Sequence, residues 1–222
     1  MNIDGKVCDN VAMDIVMLAA GTSSRMGKTN KLLLPYRGVP MVAHSCMQAL
    51  LFLEKYSSER DENCTLIVVT GYRHRSVEKV LEDCRAFIGR TQSRLGMVVV
   101  RNPEYRCGQF SSTKTGVEQV ASGSPFFISL ADMPLVTPEH YCALVPLLQG
   151  HDAVRPFYER EEDRIPGHPV LLGHELAEEI LRHPDGFTVS RVLGKADVLE
   201  PRFRDPSWAL DIDMEEDYRS LT

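Results

Sequence analysis

The residues best suited to chemistry lie in one stretch, residues 15–35, which read IVMLAAGTSSRMGKTNKLLLP. An apolar run stops at Gly21. A loop of small and hydroxyl residues follows, with Arg25, Lys28 and Lys31 set into it, and apolar residues resume at Leu32. This composition suits an anion such as a phosphate. Glycine lets the backbone approach closely, hydroxyls and main-chain N–H groups donate, and the cations neutralise. The spacing is not that of a Walker A loop, which has four residues between its glycines; Gly21 and Gly27 are separated by five. A Walker loop also runs into a helix, whereas Pro35 cuts this segment short and biases Leu34 toward extended backbone. The plain alternative is a turn carrying exposed basic residues. So long a Gly/Ser/Thr run directly behind a buried strand disfavours it.

Four other groups could carry chemistry. Asp132 closes the apolar run PFFISLA and precedes Met133-Pro134. A carboxylate at the carboxyl end of a buried strand faces the same side as the Gly21 loop; a turn aspartate before proline is the structural alternative. Asp211 and Asp213 flank Ile212, and strand alternation would put both on one face. Asp213 also suits a helix N-cap, with Glu215 and Glu216 at the positive helix end. Arg101-Asn102-Pro103, followed by Cys107-Gly108-Gln109-Phe110-Ser111-Ser112, reads as strand, turn and helix start. It offers N–H and hydroxyl donors, or simply Ser111 as a cap. His168 sits in Gly167-His168-Pro169-Val170-Leu171-Leu172; a lone histidine is more often structural than functional.

Taken together, LAAGTSSRMG followed by NKLLLP resembles the signature of the nucleotidyltransferases related to the molybdenum-cofactor cytidylyl- and guanylyltransferases. More distantly it is similar to sugar-nucleotide pyrophosphorylases. LADMP, LDIDMEED and GHPVLL are similar to further elements of that family. The resemblance implies a reaction: a nucleoside triphosphate and a phosphorylated acceptor give a nucleotidyl diester and pyrophosphate. It implies Arg25, Lys31 and Asp132 as catalytic residues, and Mg²⁺ as cofactor on Asp132 and Asp211. Leu18, Ala19, Ala20, Gly21, Thr22, Ser23, Ser24, Arg25, Lys31, Gly108 and Ser112 would border the nucleotide. His168 and Asp211 would face the acceptor. The AAG form of the loop resembles the cytidylyltransferase branch and favours CTP, with molybdopterin cofactor as acceptor. A transient contact with a molybdoenzyme or its maturation factor follows from the same resemblance. Beyond Pro169 the match weakens. The cytidylyltransferases carry G-D-x-G-A-R, where this chain has His183-Pro184-Asp185-Gly186-Phe187, with Arg191 further on. A sugar- or polyol-phosphate acceptor therefore stays open, as does a nucleotide-binding module without turnover.

At 222 residues the chain suffices for one α/β domain with a substantial core. A net charge of −6 argues against bulk binding to nucleic acid or anionic membrane. The basic residues near Gly21 are then local anion contacts. The six cysteines form no C-x-x-C pair and read as cytoplasmic packing thiols. Residues 1–13 are polar, with no secretory apolar core, and are expected to form a flexible arm ahead of a single domain spanning 14–222. No run approaches the roughly 20 apolar residues of a membrane span.

The positioning elements alternate. Strands are predicted at 14–20, 65–70, 96–101, 125–131, 152–157, 170–172, 197–200 and 209–213. Helices are predicted at 41–56, 76–87, 111–122, 138–148, 173–182 and 188–193. Continuous apolar strands between helices predict a three-layer, Rossmann-like α/β fold with a mostly parallel central sheet. In 41–56 the stripe Met41, Val42, Cys46, Ala49, Leu50 and Leu53 should face the core. The charge run at 159–164 should form a solvated hairpin tip.

Overall fold

A computed structural model describes residues 11–23, 30–91, 93–160, 163–212 and 214–221. Ser24, Arg25, Lys28 and Asp213, with residues 1–10 of the expected arm, lie outside these segments. In chain order, strand β1 (Met13–Ala19) leads to a 3₁₀ turn (Lys31–Leu33), the short strands β2 (Pro35–Tyr36) and β3 (Val39–Pro40), and helix α1 (Met41–Arg60). Strand β4 (Cys64–Thr70), helices α2 (His74–Lys79) and α3 (Glu82–Ile88), strand β5 (Leu95–Arg101), α4 (Gln109–Val117), β6 (Phe126–Leu130) and α5 (Pro138–Leu144) follow. The remainder is β7 (Ala153–Val154), β8 (Phe157–Arg160), β9 (Asp163–Pro166), β10 (Val170–Leu172), α6 (Glu175–Arg182), α7 (Val189–Leu193), β11 (Val198–Leu199), β12 (Arg202–Phe203) and α8 (Glu215–Leu221).

Seven strands form the central sheet in the order β11-β7-β10-β6-β1-β4-β5. Only β10 runs antiparallel to its neighbours. Alternation along β1 builds the two other layers. Ile15 and Met17 pack with α1, α3 and α5; Val16 and Leu18 pack with α4, α6 and α7. Each such fully buried side chain contributes roughly 1.5–3 kcal/mol. All six residues of the predicted α1 stripe are buried. The predicted three-layer α/β fold is therefore the observed one. No helix among the described residues is long and apolar enough to cross a membrane.

Several predicted bounds shift, and four departures bear on the architecture. β1 begins at Met13, which is buried. The single helix predicted over 76–87 is two short ones, α2 and α3, separated at Val80 and Leu81. The strand predicted over 152–157 breaks at Arg155-Pro156, since proline has no N–H for a sheet ladder. Beyond the break, β8 joins a separate sheet, β12-β8-β9, with the expected hairpin between β8 and β9. The strand predicted over 209–213 does not form. A 3₁₀ turn (Pro206–Trp208) ends there, and the chain runs irregularly through Asp211 and Ile212.

Close packing sets α4 over the sheet. A Cβ at Gly116 would lie 2.3 Å from Val16 Cγ1 and 2.8 Å from Val69 Cγ2, so only glycine lets the helix sit this low on β1 and β4. The helix start is thereby brought over the carboxyl end of β1.

Candidate active site

β1 delivers residues 20–23 to the carboxyl edge of the sheet. Gly21 is exposed, and a Cβ there would meet nothing within 4 Å. Its φ is not left-handed, so the missing side chain leaves room beside the strand end. Ser23, expected to border the nucleotide, bonds within the loop itself. It is buried, with φ 52°, and its Oγ accepts from the Lys31 N–H at 3.2 Å. Asn30 Oδ1 caps the 3₁₀ turn by accepting from the Leu32 N–H at 3.1 Å. These bonds fix the return of the loop and aim Lys31 at the cleft. Ala19 is buried on the α1 side.

Lys31 Nζ lies 2.7 Å from Asp132 Oδ2, and only 9% of the lysine side chain is exposed. Asp132 follows β6, where the Ala131 N–H donates to Leu18 O at 3.1 Å and so ties the ends of β6 and β1 together. The Ile212 N–H donates to Asp132 O at 3.0 Å. Although 209–213 is not a strand, this bond carries Asp211 to the same opening. Leu18, Ala20, Gly21, Thr22, Lys31, Gly108, Ser112, Asp132 and Asp211 all line one cleft of about 470 Å³. Nine predicted site residues, from five segments of the chain, converge there.

Asn102 organises the third wall. It is buried, its Nδ2 donates to the hydroxyls of Ser111 and Ser112 at 2.9 Å each, and its Oδ1 accepts from the Glu104 N–H at 2.8 Å. Ser111 is inside the first turn of α4 and not its cap; its Oγ donates to Gly108 O at 2.8 Å. The cap position is Gly108, at φ 103° and ψ 172°, a backbone region open essentially to glycine alone.

A second cleft, of about 510 Å³, shares Gly108 and Gln109 with the first. His168 lines it. Its Nδ1 lies 3.3 Å from Ile128 O; a carbonyl only accepts, so Nδ1 carries the proton and Nε2 keeps its lone pair. Burial holds the His168 pKa below the usual imidazole range. The Ile128 bond and the charge of Asp132 oppose this, and Arg155 adds to it. The Trp208 carbonyl accepts from the His168 N–H at 2.8 Å. Gly186 also lines this cleft, whereas Asp185 turns to Lys114 of α4 at 3.5 Å.

Several lining residues escape sequence reasoning: Tyr105, Arg106 and Gln109 in the first cleft, and Arg155 and Phe187 in the second. A signal existed for two of them. Arg106 and Gln109 border the Gly108 turn that the sequence singles out, and the expectation stopped at Gly108 and Ser112.

Comparison with known proteins agrees with this geometry. The MobA-like NTP transferase domain matches residues 15–199. The chain is 26% identical to the molybdenum cofactor cytidylyltransferase of Escherichia coli, over 93% of this chain and 94% of the relative. It is 32% identical to the purine catabolism protein PucB of Bacillus subtilis, over 91% and 92% respectively. A solved nucleotidyl transferase from Methanothermobacter thermautotroptrophicus superposes with a TM-score of 0.68 at 25% identity, covering 96% of both chains. With a loop-strand-carboxylate cleft of this form and a match across most of its length, the chain belongs to the MobA-like NTP transferase family.

Proposed function

We propose that the protein moves a nucleotidyl group from a nucleoside triphosphate, CTP in preference, to a phosphorylated acceptor, molybdopterin cofactor in preference, with release of pyrophosphate. The observation that carries this is the pairing of Lys31 with Asp132 in a cleft that shares Gly108 and Gln109 with a second cleft. The triphosphate belongs beside the Gly21 loop and the acceptor beside His168. The name of the E. coli relative supports the cofactor and the base, and the small Ala20 beside Gly21 admits a base closely.

The acceptor phosphate is already anionic and needs no activating side chain. Its oxygen forms a bond to the α-phosphorus while the bond from that phosphorus to the bridging oxygen breaks, and pyrophosphate carries away the electron pair. The work of the protein is alignment and charge neutralisation. Lys31 would neutralise the departing phosphates, with Arg25 of the loop assisting. Gly108 and Ser112 would donate from the start of α4. Mg²⁺ takes hard oxygen ligands, commonly one or two carboxylates completed by substrate phosphates. Asp132 and Asp211, two carboxylates lining one cleft, fit that donor set and would hold it; when bound it supplies charge neutralisation at the reacting phosphates. A transient hand-over of product to a molybdoenzyme or its maturation factor belongs to the same reading.

The test is pyrophosphate release with Mg²⁺, each of the four triphosphates in turn, and molybdopterin or a panel of sugar and polyol phosphates. Release with CTP and molybdopterin is expected. Release with GTP alone overturns the base. Release only with a sugar or polyol phosphate overturns the acceptor. No release with any pair favours the module without turnover.

A further inference from the structure

The carboxyl edge of the sheet continues past the residues described so far. Because β10 is antiparallel, its first residues lie at the same edge as the last residues of β6, β7 and β11. Crossing that edge from β6, one meets Asp132, then His168, then Arg155 after β7, then Glu200 after β11. Adjacent strands are about 4.8 Å apart, so the backbone of Arg155 stands two strand widths, roughly 10 Å, from that of Asp132.

Arg155 is the sole Lys or Arg among the described residues that line the second cleft. Its guanidinium is held edge-on: Nε donates to Glu200 Oε1 at 3.0 Å, and Nη2 reaches the same oxygen. The other oxygen of Glu200 accepts from Arg164 Nη2 at 2.5 Å, and Arg164 in turn lies over the Phe157 ring at 3.9 Å. One carboxylate thus serves two guanidiniums and leaves one positive charge in excess. Nη1 of Arg155 has no hydrogen-bond partner among the described residues. A guanidinium locked in orientation on one edge, with donors to spare on the other, is the arrangement that grips an oxyanion.

We propose that Arg155 binds the phosphate group of the acceptor in the second cleft, and that Glu200 is the positioning residue that sets its guanidinium. The idea rests on the reading of the second cleft as the acceptor side. It extends that reading by naming the residue that requires the acceptor to be phosphorylated.

The experiment uses the whole protein and 2-naphthyl phosphate, a planar phosphate monoester whose fluorescence reports binding without turnover. Wild type is expected to bind it saturably, and Arg155→Met to weaken binding by about tenfold or more. Arg155→Lys should fall between, since it keeps the charge and loses the fork. CTP affinity, measured without acceptor, should stay within about twofold of wild type. Glu200→Gln should weaken the naphthyl phosphate by a smaller factor with CTP affinity unchanged. Absence of binding by wild type, equal binding by wild type and Arg155→Met, or an equal loss of CTP affinity overturns the proposal. If Arg155→Met fails to fold, Arg155→Lys and Glu200→Gln decide by the same two affinities. Failure of nucleotidyl transfer with every acceptor would sink the transfer reading while leaving this binding difference to be judged by itself.

Discussion

Lys31 and Asp132 illustrate how much a single pair can hold. Each is largely withdrawn from solvent, so the contact between them is weakly screened. Asp132→Asn keeps the shape and removes the charge. We expect pyrophosphate release to fall about 100- to 1,000-fold, the size typical of losing one preorganised electrostatic group. The urea midpoint should also fall, by the equivalent of about 1–3 kcal/mol, because the charge-assisted contact with Lys31 is lost. Turnover within a fewfold of wild type would remove Asp132 from the reaction. Both residues were legible in the sequence, because one closes a buried strand and the other follows a glycine loop. Ser23 was legible only as to place. Its left-handed backbone and burial depend on where the loop returns, which no local pattern specifies. Arg155 was illegible for a related reason: its meaning comes from Glu200, 45 residues away.

Among the elements, α4 is the one on which both clefts depend. Its start is fixed by Asn102, which closes β5 onto the hydroxyls of Ser111 and Ser112. Asn102→Ala would leave those buried groups short of a donor, at a cost of roughly 1–3 kcal/mol. It should also raise the KM for the triphosphate, measured by pyrophosphate release; an unchanged KM would mean that the start of α4 does not touch the nucleotide. The apolar runs of β1, β4, β5 and β6 are readable from sequence because strands covered on both faces leave a continuous signal. The predicted strand over 209–213 is an instructive failure. Alternating Leu210-Asp211-Ile212 has strand periodicity, yet only Ile212 is buried and its N–H goes to Asp132 O. A short alternation cannot distinguish a sheet strand from an irregular segment that buries one side chain.

At the scale of the whole molecule, the segment from Pro206 to Trp208 links distant parts. His140 of α5 is joined to Ser207 through Nε2 at 2.8 Å, accepts from the Thr137 N–H at Nδ1 at 3.2 Å, and lies tilted against Trp208 with ring centroids 4.4 Å apart. Burial holds its pKa below the usual imidazole range, against the pull of Asp205 and Glu139. Because the folded value is depressed, the unfolded chain takes the proton first as pH falls. The stability is fully present above about pH 6.5 and is lost as pH falls from there through the folded value. His44 and His168 are shifted in the same direction, chiefly by burial. The urea midpoint should therefore be lower at pH 5.5 than at pH 7.5, and His140→Gln should show a smaller drop; an equal drop would exclude His140 from the effect. Among the described residues the two clefts share Gly108 and Gln109, and away from 105–113 and the end of β6 they draw on different lengths of chain. The first takes its loop and its lysine from residues before 33, while most walls of the second come from 155–193. A lineage that alters one contiguous stretch of its gene can therefore reshape most of the second cleft while inheriting the loop and the lysine of the first intact.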